Sequence, residues 1–137
     1  SIRSIADAVI EGARSAADDG VEIVVREALD ATIEDVLAAD GYLLGTPANF
    51  GYISGALKHF FDTTYDDTHQ ATARRPFSYW IHGRFDTTGA ERAMQSITTG
   101  YKFKLAHEPL VFTGDVSEEH LGAAAELGAT VAWTLTM

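Results

Sequence analysis

At 137 residues, 46% of them hydrophobic, the chain has the length of one domain and enough apolar material for a core, which argues against disorder. A formal net charge of −10 repels phosphate backbones, so nucleic acid is not an expected partner. The lack of cysteine excludes disulfides and thiol chemistry and fits a reducing, cytoplasmic compartment, and no apolar run reaches the roughly 18 residues of a membrane span.

In chain order, Ile2, Ile5, Ala6, Val9, Ile10 and Ala13 recur at helical spacing, and Gly20 is expected to stop that helix. Val21, Ile23 and Val25 alternate with Glu22, Val24 and Arg26, which reads as a short strand. Thr32-Ile33-Glu34-Asp35 opens a short helix with a cap-like start. Gly41 to Gly45 is an apolar strand, followed by a loop over 45–52. Ile53, Leu57, Phe60 and Phe61 share one face of the next helix, and the polar stretch 64–75 reads as a surface loop. Phe77 to His82 is another strand, with Pro76 tolerated at its start. Thr88-Gly89-Ala90-Glu91 has the pattern of a capping box, and the helix it opens ends at Gly100. Leu110-Val111-Phe112 is the last strand. Ser117-Glu118-Glu119 starts a final helix whose inner face holds Leu121, Ala124, Ala125, Gly128, Val131, Ala132 and Leu135.

Strands alternating with helices predict a single α/β domain over 1–137, a parallel sheet with helices on both sides. Ligands bind such sheets at the carboxyl ends of the strands, which here means the loops 45–52 and 83–88. A chain of this type should open with a strand, yet a helix begins at Ser1. Without a central strand, two edges forgo on the order of ten ladder bonds at roughly 1 kcal/mol each. The expectation is therefore a first strand and phosphate loop preceding Ser1, outside this numbering; the alternative is a domain that manages with four strands or borrows one.

The segment Gly45 to Asp62 resembles the strand-to-helix segment of flavodoxin-like FMN proteins. It is closest to NAD(P)H:quinone oxidoreductases of the Trp-repressor-binding-protein type and to NADPH-dependent FMN reductases. The resemblance rests on Thr46-Pro47, Gly51, Ser54-Gly55, Lys58, Phe60 and Asp62, and more weakly on Ile2, Ile5 and Ala6, on Gly89 and Glu91, and on the segment 108–114. It implies a flavodoxin-like three-layer α/β/α fold with strand order 2-1-3-4-5. It also implies FMN as cofactor and NAD(P)H as reductant. The run Gly-Gly-Gln-Glu of the quinone reductases is only partly matched, by Gly89 and Glu91.

On that resemblance, the phosphate falls to the start of the first helix, at Ser1 and Ile2. The isoalloxazine ring falls to Thr46, Pro47, Ala48, Asn49, Phe50 and Gly51 on one side. On the other it falls to His82, Gly83, Arg84, Phe85, Asp86 and Thr87. Four of them have alternatives: Ser1 as a helix cap, Phe50 as a core aromatic, Arg84 as a contact to a nicotinamide dinucleotide phosphate or as the ion-pair partner of Asp86, His82 as a satisfied strand-end imidazole. No residue is assigned as catalytic in its own right. His59, His69, His107 and His120 show no metal-ligand spacing, so no metal is expected. Three functions remain open. The first is an oxidoreductase passing electrons from NAD(P)H through FMN to a quinone or flavin acceptor. The second is an electron-carrier flavodoxin whose acidic surface meets a redox partner protein. The third is a flavodoxin-like interaction domain without flavin. No membrane partner is expected, and a homodimer fits the resemblance.

Overall fold

The computed structural model describes residues 2–17 and 20–136. Its helices are α1 (Ile2–Ala16), α2 (Ile33–Ala38), α3 (Gly55–Thr68), α4 (Thr88–Tyr101) and α5 (Glu118–Thr134). Its strands are β1 (Tyr42–Ala48), β2 (Pro76–Gly83), β3 (Lys104–Leu105) and β4 (Leu110–Thr113). All strand pairs are parallel. β1 lies on one side of β2, while β3 and β4 share its other side, opposite residues 76–77 and 80–83 in turn. These three positions correspond to the 3-4-5 arm of the expected strand order.

Two apolar layers sandwich the sheet. Leu44, Phe77, Tyr79 and Ile81 face α3 and α4, packing on Leu57, Phe61 and Met94. Trp80 faces the other way, with Ile5 and Val9 of α1 and Ala124 and Leu127 of α5. β2 is therefore apolar on both faces, as a central parallel strand must be. Among the described residues, no helix is long and apolar enough to cross a membrane.

The structure corrects several expectations. Residues 21–27 form no strand. A strand exists by bonding to a neighbour, and no described strand lies beyond β1, so both this segment and the outer edge of β1 lack one. Val24 and Val25 are accordingly exposed. α1 ends at Ala16, ahead of Gly20. The polar stretch 64–75 is not a loop throughout, because α3 continues to Thr68. Thr64, Thr68 and Thr72 are buried one turn apart, and each hydroxyl donates to the carbonyl four residues back. The Thr64 hydroxyl also meets the Tyr101 hydroxyl at 2.8 Å, and burial pushes that phenol up to about 12. α4 passes Gly100 and ends on Lys102, whose φ of 63° supplies the left-handed cap.

Candidate functional site

β1 outruns its expected length and pairs through Ala48, opposite Gly83. Pro47 lacks a donor, which this strand tolerates because β2 is its one partner among the described residues. The chain then reverses within two residues. The Asn49 and Tyr52 backbones exchange hydrogen bonds of 2.8 and 2.9 Å across Phe50 and Gly51. Both central residues are left-handed, with φ of 49° at Phe50 and 77° at Gly51, which makes a type I′ turn. Glycine takes that conformation freely, whereas a bulky aromatic is held in it at a cost of about 1–2 kcal/mol. The Phe50 side chain is fully exposed, at 109% of its reference area. It is not a core aromatic.

Thr46 secures this turn from below. It is 1% exposed; its hydroxyl accepts from the Ser54 N–H at 2.9 Å and donates to the Pro47 carbonyl at 2.7 Å. The Ser54 hydroxyl in turn accepts from the Leu57 N–H and caps α3. Thr46 therefore acts through the backbone, since no ligand can reach its side chain.

The second loop, 83–88, closes around buried Gly83. A methyl group there would come within 2.8 Å of Thr87 Cγ2 and 3.1 Å of the Ala48 side chain. The Asp86 carboxylate accepts from the Thr88 N–H at 3.0 Å and from its hydroxyl at 2.8 Å, just ahead of α4, whose N-cap is Thr87. The backbone bond from Thr88 and then the hydroxyl bond hold that carboxyl below the usual range. The capping box expected from Thr88 and Glu91 does not form. Glu91 instead accepts from the Thr87 hydroxyl at 2.9 Å. Asp86 is thus engaged by Thr88, and no Arg84–Asp86 ion pair exists among the described residues. Arg84 is exposed, and Phe85 beside it is 87% exposed.

The two loops touch. A methyl group at Gly89, in the first turn of α4, would lie 2.4 Å from the Gly51 carbonyl oxygen. Only glycine lets the turn seat there. Gly51 also lies against Asp86, whose carbonyl and carboxylate oxygens are 3.9 Å from where its own methyl would stand. The site thus brings Pro47, Ala48, Asn49, Phe50 and Gly51 together with Gly83, Arg84, Phe85 and Asp86. Ser1 lies outside the described residues, and Ile2 is the first residue of α1.

His82 is drawn elsewhere. Its Nε2–H donates to the Gly114 carbonyl at 2.6 Å, and its ring stacks on Phe112 with centroids 4.3 Å apart. It fastens the β4–α5 connection, as the structural alternative has it. Sequence reasoning did not single out Tyr52, which closes the turn and is 43% exposed. The signal for Gly89 was its place beside a helix start, where a small residue marks a close approach. No cluster of three or more metal-ligating side chains occurs among the described residues.

Comparison with known proteins places this geometry in context. The sequence profile of NADPH-dependent FMN reductases matches residues 4–115. A curated flavodoxin of Aquifex aeolicus is 43% identical over 65 residues, which is 47% of this chain and 34% of that protein. The alignment thus spans about a third of that relative's length. Among solved structures, a WrbA-like flavodoxin from Agrobacterium tumefaciens superposes with a TM-score of 0.76 at 21% identity, covering 98% of this chain and 89% of that one. The two-electron reduced flavodoxin of Megasphaera elsdenii superposes with a TM-score of 0.74 at 17% identity, covering 96% and 90%. At such identities the likeness is one of fold, and that fold is flavodoxin-like. With the profile spanning residues 4–115, the chain belongs to the NADPH-dependent FMN reductase family.

Proposed function

We propose that the chain binds FMN at the carboxyl ends of β1 and β2 and passes electrons from NAD(P)H to a quinone or flavin acceptor. The observation that carries this reading is Phe50. A left-handed backbone and a fully exposed aromatic ring both oppose stability, and such strain collects where a ligand uses it. A flat, largely apolar ring system matches what the loops present: Phe50 on one, Phe85 on the other. The residues present therefore fit the flavin.

In this reading Phe50 and Phe85 supply apolar contact to the isoalloxazine, and the tight turn brings backbone N–H groups toward its polar edge. Arg84 supplies positive charge, which favours an anionic ring. The start of α1, at Ser1 and Ile2, takes the phosphate. FMN, when bound, accepts a hydride and releases electrons singly or in pairs. The chain's part is to bind, orient and exclude water, because the loops offer no nucleophile or general base of their own.

The test is to load the full-length protein with FMN, remove free ligand and record the visible spectrum before and after NAD(P)H. Retained flavin that bleaches with NAD(P)H supports the reductase. Retained flavin that ignores NAD(P)H favours an electron carrier instead, a second reading that draws support from the Aquifex aeolicus flavodoxin match. No retained flavin overturns both.

A further inference from the structure

A groove of about 440 Å³ runs from the turn at 49–52 between α3 and α4, a volume within the range of small-molecule sites. Tyr52, Lys58 of α3, and Gly89, Arg92, Ala93 and Ile97 of α4 line it. We propose that this groove takes the phosphate-bearing adenosine half of the dinucleotide donor, with Arg92 as the anion anchor. The proposal rests on the reading above that a nicotinamide dinucleotide is the reductant.

Charge singles out Arg92. Lys58 is already held by Asp62, with both carboxylate oxygens within 2.9 Å of its Nζ. The neighbouring Glu91 carboxylate accepts from the Thr87 hydroxyl and forms no ion pair with Arg92. Arg92 is exposed and makes no ion pair among the described residues. An uncompensated guanidinium at an apolar groove is rare capital on a surface of net charge −10, and its planar fork suits a phosphate. Tyr52 offers a half-exposed ring on which a purine can lie, next to an anion site.

Position supports the same occupant. The groove begins where the proposed flavin site ends, because Tyr52 closes the turn that carries Phe50 and Gly89 supports that turn. A dinucleotide with its nicotinamide at Phe50 has its remaining length to place, and this channel leads away from that point.

The probe is adenosine 2′,5′-bisphosphate, titrated calorimetrically into FMN-loaded and FMN-free protein at low salt. Arg92→Gln is expected to weaken binding by about tenfold or more, the usual scale for losing a charge-assisted contact. Lys104→Gln on β3 removes the same charge far from the groove and is expected to leave binding within about twofold. In turnover, Arg92→Gln should raise KM for NADPH with kcat unchanged. Wild-type protein that ignores the probe, or an Arg92→Gln variant that binds it like wild type, overturns the proposal. Flavin retention is read separately. Retained flavin that NADPH bleaches, without probe binding, sinks the groove and spares the reductase; probe binding without retained flavin does the reverse.

Discussion

The connections β1–α3 and β4–α5 solve the same problem and treat their aromatic residue in opposite ways. Each leads from a parallel strand into a helix capped by a serine, Ser54 in one and Ser117 in the other. In β4–α5 the aromatic is Phe112, half-buried and stacked between two imidazoles, with centroids 4.3 Å from His82 and 3.7 Å from His120. The His120 ring also accepts from the Ser117 N–H at 3.0 Å, completing a capping box. In β1–α3 the aromatic is Phe50, held in solvent on a left-handed backbone. The β4–α5 connection is closed by its own contacts. The β1–α3 connection carries a cost that the proposed flavin contact would offset.

The sharpest way to break this contrast is to delete each ring. Phe112→Ala is expected to lower unfolding stability by about 3 kcal/mol, at the low end for a packed phenylalanine because the site is half-buried. A urea titration reads this, and flavin retention should stay near that of wild type. A stable Phe112→Ala protein that has lost flavin would place the site at the wrong connection. Phe50→Gly should do the opposite. It relieves the left-handed strain, raising stability by about 0.5 kcal/mol, and removes a stacking surface worth about 1–3 kcal/mol, so flavin affinity falls by tenfold or more. Stability and affinity falling together would show that the ring packs on the protein instead. The smallest effect sharpens what the connections share. Ser54→Ala and Ser117→Ala each remove one side-chain cap and should each cost about 1 kcal/mol in thermal or urea unfolding. A much larger loss at Ser54 would mean that Thr46, which holds the Ser54 N–H, depends on that cap.

Local chemistry explains what was legible. Ile5, Val9 and Ala13 are fully buried on α1, as their spacing required. Thr32 forms a complete capping box with Asp35, more than the cap-like start expected. The run Phe77 to His82 is apolar enough to be a central strand in any register. The misses have equally definite causes. Lys104–Leu105 is too short a strand to leave a pattern, and it forms only because the edge of β2 is available. Thr64, Thr68 and Thr72 look like loop residues until α3 and the turn after it bring all three inward, where each hydroxyl bonds to the carbonyl four residues back and that of Thr64 also meets Tyr101. The N-cap of α4 is Thr87 rather than Thr88, because the Asp86 carboxylate already holds the Thr88 N–H and draws Thr88 into the first turn.

By itself the sequence indicated five helices and the apolar strands β1, β2 and β4, and it led to the expectation that a ligand would lie at the ends of β1 and β2. Those properties follow from periodicity and turn chemistry, which act over a few residues. Only the tertiary structure decided that Val21 to Arg26 stays unpaired, that His82 belongs to the β4–α5 connection, and that Phe50 stands in solvent above a turn seated on Gly89. Each of these depends on what a distant segment presents: a partner edge, the Gly114 carbonyl, a helix start with no side chain. An aromatic residue has no local preference between core and solvent, and here the packing of α4 against the turn settled it.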